Sequence, residues 1–254
     1  MKVRPDRRFW AALVILGWIG GLGALALRRD SVPASELLAR GALRLEPSTF
    51  YYTVTQNGAP IGSATSSVDT TSHGLLARDV AIVHGVFGGD SQSVTAISAA
   101  YLSRGFALDS FSFAVRSGAS PIRIHGRPVT RSGVLLPTLA PVALMLTERP
   151  RVGNARALWI YNPLSRRVES VTLTIAAESL FRVVDSAAFD SVQRRWLPTH
   201  TDTIRSWKIV TPSHSISAWV DSQGRLVAAE EAGGSRLTRT AYEIATLNQK
   251  NPVH

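Results

Sequence analysis

The side chains that could carry catalytic chemistry are few and scattered in this sequence. None of the six histidines lies at metal-ligand spacing from another on one helix, and none belongs to an HExxH motif. The triplet Gly89-Asp90-Ser91 offers a serine nucleophile, but it lies between predicted strands and no late Asp-x-x-His follows it, so a turn is the simpler interpretation. Glu230 and Glu231 are adjacent and would point to opposite faces of a strand. We predict no catalytic residue and no metal site.

Composition excludes further chemistries. The chain has no cysteine, which rules out disulfides, a cysteine nucleophile, thiolate zinc sites and cysteine-ligated iron–sulfur clusters. It contains no Walker A loop and no GxGxxG motif after a strand, so we predict no cofactor. With 45% hydrophobic residues in 254, the chain is too apolar to be disordered. The net charge of +10 is diffuse; the closest candidate for a nucleic-acid-binding stripe, residues 116–131, has no aromatic side chain, so we predict no nucleic-acid partner.

The elements that must position any site begin with an apolar N-terminal segment. Residues 9–27 carry no charge and would span about 28 Å as a helix, close to the thickness of a bilayer core. Basic residues flank it on both sides, and the stronger leading flank favours a cytoplasmic N-terminus. A signal peptide cleaved near Ala24-Leu25-Ala26 is the alternative, and both interpretations export the rest of the chain. The expected membrane-interface anchors are Trp10, Arg7, Arg8, Arg28 and Arg29.

Small residues recur along the apolar segment. Gly17 and Gly21 form a GxxxG pair, and Gly20 with Ala24 forms a second pair of the same spacing. Such pairs let another helix approach closely within lipid, although glycine is also ordinary in membrane helices. We expect this face to pack against another integral membrane subunit.

The remainder reads as short β segments without regular β-α-β alternation, which favours a mainly β, antiparallel sheet or barrel-like domain. Asn57-Gly58 between two such segments is a strong hairpin signal, and residues 221–224 predict a second hairpin. The predicted organisation is a cytoplasmic tail (1–8), a transmembrane helix (9–27), a linker with a short helix at 35–40 (28–47), a periplasmic β domain (48–247) and a C-terminal tail (248–254).

Three segments break the β pattern. Residues 135–146, LLPTLAPVALML, are too short to span a membrane, and Pro141 suits the first turn of a helix. We expect a core helix, with a membrane-facing lid as the alternative. Residues 189–202 are expected to be loop or helix, and the Thr240-x-x-Glu243 capping box predicts a last helix.

Several segments together resemble a known bacterial family. They are residues 50–58 (FYYTVTQNG), 61–64 (IGSA), 68–71 (VDTT), 102–105 (LSRG) with Phe111, 218–227 (AWVDSQGRLV) and 239–245 (RTAYEIA). Their order resembles the exported β-rich region that precedes the catalytic core of transglutaminase-like membrane proteins. In that family the core supplies a Cys–His–Asp set, and this chain has no cysteine. The resemblance therefore implies a non-catalytic module.

These observations favour a non-enzymatic, single-span inner-membrane protein with a periplasmic β domain. The first hypothesis is an accessory or structural subunit of a membrane complex, with photosynthetic or respiratory complexes ranked first as a class, whose partners are other integral subunits and inner-membrane lipids. The alternative is a carrier or sensor that binds a lipid or other apolar ligand in the β domain. A filled core would favour the first hypothesis, and a deep apolar cavity would favour the second.

Overall fold

A computed structural model describes residues 34–43, 45–87, 90–117, 121–127, 133–147, 149–162, 165–211, 214–231 and 234–247. Within these residues there are two α-helices, α1 (Ala34–Ala42) and α2 (Ala140–Thr147), a 3-10 turn at Pro137–Leu139 and a π-helix at Glu243–Leu247. The strands are β1 (Ser48–Gln56), β2 (Ala59–Thr70), β3 (Gly74–Phe87), β4 (Asp90–Ser103), β5 (Leu108–Ser117), β6 (Ile122–Gly126), β7 (Val134–Leu135), β8 (Ala155–Asn162), β9 (Arg167–Asp190), β10 (Arg195–Thr211), β11 (His214–Val220), β12 (Leu226–Glu231) and β13 (Ser235–Thr240).

All of these strands belong to one sheet. Its order is β6-β5-β4-β3-β2-β1-β13-β12-β11-β10-β9-β8-β7, so β1 and β13 join the two halves of the chain at its centre. Every pairing is antiparallel except the short parallel pair β7–β8. The prediction of a mainly β protein with a few short helices is confirmed.

Local turn chemistry fixes the first hairpin. Asn57 and Gly58 join β1 to β2 with φ angles of 51° and 84°, the positive values that a type I′ turn requires. The register then pairs Tyr52 with Ala64 and Phe50 with Ser66. The hairpins predicted around residues 57–58 and 221–224 are both present.

Helix α2 lies in the centre of the hydrophobic core. Its side chains are apolar on all sides, which suits a helix that is covered on all sides. Ala143 is completely buried, and the same core contains Ala77 and Ala100 from one half of the sheet and Leu173 and Ile209 from the other. The expected core helix is therefore confirmed at Ala140–Thr147, with Pro141 in its first turn, whereas Leu135 belongs to β7 and Pro137–Leu139 form a 3-10 turn.

Helix α1 packs against α2 rather than serving as a simple connection. Leu38 and Ala42 belong to the core, and a β-carbon at Gly41 would stand 2.6 Å from the Leu146 Cβ. The predicted linker at residues 28–47 thus ends in a core element, because α1 presents an apolar stripe at Leu38 and Ala42.

The prediction of loop or helix for residues 189–202 is wrong. These residues form the end of β9, a turn and the start of β10, and residues 176–206 make a two-stranded ribbon. Among the described strands, this part of β9 pairs only with β10. None of residues 189–202 is buried, so this end of the ribbon has no regular apolar alternation, which is why the pattern did not indicate strands there. The last helix, predicted from the Thr240-x-x-Glu243 capping box, is a short π-helix at Glu243–Leu247 rather than an α-helix.

The predicted cytoplasmic tail and membrane span lie in residues 1–33, outside the described residues. Within the part of the chain that the structure does describe, no helix has the length and apolar character needed to cross a membrane.

Candidate functional site

The first half of the sheet brings a row of side chains from five strands onto one face. Direct cross-strand pairing aligns them, and all five line a cavity: Phe50, Ser66, Asp79, Ser98 and Phe113. Successive members of this row are 13 to 19 positions apart in sequence, so only the strand register brings them together.

The next row on the same face is made of small side chains, which creates the space. Ala64, Ala81 and Ala96 pair directly across β2, β3 and β4 and all line the cavity. The opposite wall comes from Leu139, Val142 and the turn at Gly224. The resulting cavity of about 360 Å³ is partly open and mostly apolar. That size falls within the range of small-molecule sites in proteins.

Asp79 is the acidic side chain of the cavity wall. Its Oδ1 accepts a hydrogen bond from the Ser66 hydroxyl at 2.7 Å, and its Oδ2 accepts one from the Ser98 hydroxyl at 3.0 Å. Among the described residues, no basic side chain forms an ion pair with Asp79. Since a carboxylate offers about four lone-pair positions, Asp79 keeps acceptor capacity for a further donor.

Two arginines border the cavity around Phe50. The Arg239 guanidinium lies 3.5 Å from the Phe50 ring centroid, and that of Arg225 lies 5.2 Å from it. Arg239 also pairs with Asp221 at 3.5 Å, and Arg225 donates to the Glu46 carbonyl at 2.7 Å. These contacts hold the β11–β12 turn against β1 and so fix one rim of the site.

Burial perturbs two groups at this rim. Tyr52 is 2% exposed, and burial raises the pKa of its phenol well above the ordinary range, against the lowering effect of Arg239. Its hydroxyl donates to the Leu226 carbonyl at 3.1 Å and thereby links β1 to β12. Burial also lowers the pKa of Arg239, and the neighbouring Tyr52 and Asp221 oppose that effect. Both groups serve the structure of the rim rather than proton transfer at neutral pH.

The potentially catalytic side chains considered from the sequence lie apart from one another in the described part of the structure. His73, His84, His125 and His200 are exposed, and Ser91 lies in β4. Glu230 forms a surface ion pair with Arg236 at 3.5 Å. The predicted packing residues Gly17, Gly20, Gly21 and Ala24, and the predicted anchors Arg7, Arg8, Trp10, Arg28 and Arg29, lie outside the described residues.

The ribbon carries a second polar cluster that sequence spacing did not indicate. His200 Nδ1 lies 2.8 Å from Asp185 Oδ1 and 3.9 Å from Asp202 Oδ1. Irregular register on both sides of His200 turns it toward Asp185 on the facing strand. The hydrogen bond that the His200 ring donates to the Asp185 carboxylate is the main cause of a raised His200 pKa. The three side chains could hold a metal ion geometrically, but all are exposed.

Comparisons with known proteins find structures with some similarity but assign no function. No protein-family model matches the chain, and no curated protein matches it. A crystal structure of a beta-barrel-like protein of the domain of unknown function DUF1849 from Brucella abortus is 11% identical, with a TM-score of 0.45, covering 76% of this chain and 95% of that one. A DUF1089 family protein from Pseudomonas aeruginosa is 10% identical, with a TM-score of 0.38, covering 67% of this chain and 90% of that one. The resemblance to transglutaminase-like membrane proteins stays a prediction.

Proposed function

We propose that the β domain binds a small apolar ligand as a carrier or sensor. The observation that supports this function is the cavity of about 360 Å³ between the small side chains of β2–β4 and helix α2. A concave, partly open and mostly apolar space of this size has the character of a small-molecule binding site. Of the two functions considered from the sequence, the cavity favours ligand binding over a purely structural role.

The cavity combines an apolar body with a polar point, as ligand sites commonly do. Ala81, Ala96 and Phe113 supply apolar surface, and Asp79 supplies a fixed acceptor. The hydroxyls of Ser66 and Ser98 hold that carboxylate on both sides, so a ligand would meet an oriented group.

Photoaffinity labelling tests the proposal directly. The full chain, purified in nanodiscs of zwitterionic lipid, is irradiated with a ten-carbon alcohol that carries an alkyl diazirine. We expect labelled peptides from β2, β3 and β4, and competition by unlabelled decanol. Ala96→Leu should reduce this labelling because its side chain fills the cavity. Labelling confined to other segments, or insensitive to decanol and to Ala96→Leu, would contradict the proposed function.

A second function, that of an accessory subunit of a membrane complex, finds support in the ribbon. Its tip exposes Phe189 by 52% and Val192 by 90%, and the Phe189 ring packs against Trp196 at 5.7 Å. The base of the ribbon is fixed, because Phe181 packs on Trp219 and Val183 is buried. A projecting apolar tip on a fixed base suits contact with another protein.

The size of the particle that the full chain forms in mild detergent tests this second function. If the full chain is a subunit, it should migrate with a larger complex, and Gly17→Leu with Gly21→Leu should weaken that association by pushing a partner helix outward. Leu13→Ile with Leu16→Ile is the control, because it leaves the small-residue face unchanged. An unaltered complex in the double glycine variant would assign docking to the exported domain, where Phe189→Ser and Val192→Ser can then be tested.

A further inference from the structure

We propose that the ligand of the cavity is cationic: an apolar molecule whose protonated amine binds Asp79. This inference rests on the proposed function and names the chemical class of its ligand. Asp79 lines the cavity and contacts two serine hydroxyls, with no basic partner among the described residues. The described side chains give this carboxylate no ion-pair partner, and an ammonium group would supply a countercharge together with hydrogen bonds.

The strand register fixes the position of the Asp79 carboxylate. Ser66, Asp79 and Ser98 are direct cross-strand neighbours on β2, β3 and β4. Each hydroxyl donates to a different carboxylate oxygen, which holds the plane of the carboxylate and leaves its remaining lone pairs available. The alanines of the neighbouring row leave room beside Asp79, so an alkyl chain could lie along Ala81 and Ala96 while its amine reaches the carboxylate.

Arg225 also lines the cavity and offers the opposite charge. Its Nη2 donates to the Glu46 carbonyl at 2.7 Å and its guanidinium lies over the Phe50 ring, whereas its buried Nε has no hydrogen-bond partner among the described atoms. Arg239 is paired with Asp221. Among the described side chains Asp79 accepts hydrogen bonds only from two neutral serine hydroxyls, and we therefore assign the ligand's charged group to Asp79; a preference for decanoate in the test below would assign it to Arg225 instead.

Competition among three ligands of equal chain length tests the inference. Decylamine, decanol and decanoate are compared as competitors of the diazirine alcohol, with labelling of the full chain read from the β2–β4 peptides. We expect decylamine to compete at least about tenfold better than decanol, because hydrogen bonds between ionised groups are stronger than neutral ones. Asp79→Asn should remove this preference, so that decylamine competes no better than decanol in that variant, while Asp79→Glu should keep it.

The outcomes separate the two proposals. If the probe labels the cavity peptides but decanol or decanoate competes as well as decylamine, the cationic assignment is wrong and ligand binding stands. A decylamine preference that survives in Asp79→Asn also overturns the assignment, because the preference then comes from the lipid or another group. If the wild-type chain shows no decanol-sensitive labelling of these peptides, the proposed function itself fails. The wild-type series decides the matter even if the Asp79 variants do not fold.

Discussion

Gly224 lies so close to helix α2 that a β-carbon on it would stand 2.3 Å from the Val142 Cα and 2.6 Å from the Pro141 carbonyl oxygen. The residue also has a φ of +78°, a conformation that favours glycine. This contact seats the β11–β12 turn on the core helix and closes one side of the cavity.

Replacing Gly224 by alanine should therefore destabilise the fold strongly. The side chain would clash with backbone, which cannot move like a flexible side chain, and it would also strain φ. We expect Gly224→Ala to lower the free energy of unfolding by about 2–5 kcal/mol. Gly58→Ala is the matched control, because Gly58 has a φ of +84° but nothing within 4 Å of its added β-carbon. It should cost only about 1–2 kcal/mol in the same urea titration. Equal losses would show that the contact with α2 contributes nothing.

Filling the cavity should weaken ligand binding while hardly changing the stability of the fold. Ala81→Leu and Ala96→Leu, made singly because the two residues are cross-strand neighbours, place methyl groups in existing space. We expect each variant to weaken photolabelling at least about tenfold while changing the free energy of unfolding by less than about 1 kcal/mol. Ser112→Leu adds the same side chain to an exposed position of β5 and should alter neither. Normal labelling in both cavity variants would place the ligand elsewhere.

The turn signals and the apolar helix could be recognised from sequence because their information is local. The dipeptide Asn57-Gly58 favours a particular turn type, and the uniform apolarity of residues 135–146 indicates a buried helix. The cavity could not be recognised, since Ser66, Asp79 and Ser98 become neighbours only when three strands adopt one register. Serine, aspartate and alanine on alternate positions of predicted strands were the available signal, but small and polar residues in a strand equally suit a wetted face.

The strands at residues 189–202 of the ribbon could not be recognised for a related reason. Bulges near His200 interrupt the two-residue alternation, and Pro198 within β10 argued against a strand. The pairing of His200 with Asp185 is likewise a cross-strand contact without a sequence signature.

The titration of His200 should report this contact. Because Asp185 raises the His200 pKa, the imidazolium is favoured in the folded protein. The stability it contributes is fully present below the ordinary histidine pKa of about 6.5 and is lost as the pH rises through the higher folded value. The group is fully exposed, so the chemical shift of its ring protons is a better measure than unfolding. Asp185→Asn should lower the apparent pKa, whereas Asp202→Asn should lower it less. The reverse ranking would make Asp202 the dominant partner.

Asp221 organises the turn that carries Gly224 and Arg225. Its Oδ1 accepts hydrogen bonds from the backbone N–H groups of Gln223 at 2.9 Å and Arg225 at 3.0 Å, and its Oδ2 faces the half-buried Arg239. Asp221→Ala removes both acceptors and leaves Arg239 without its ion-pair partner. We expect it to lower the free energy of unfolding by about 2–4 kcal/mol. Asp221→Asn keeps an oxygen for the two backbone donors but puts an NH2 group in place of the Oδ2 that accepts from Arg239, so it loses the ion pair alone and should cost about 1 kcal/mol. The exposed neighbour Ser222→Ala should have almost no effect. Urea unfolding of the three variants checks this order. If Asn proves as damaging as Ala, the charge on Asp221 and its pairing with Arg239 stabilise the rim of the cavity more than the turn hydrogen bonds do.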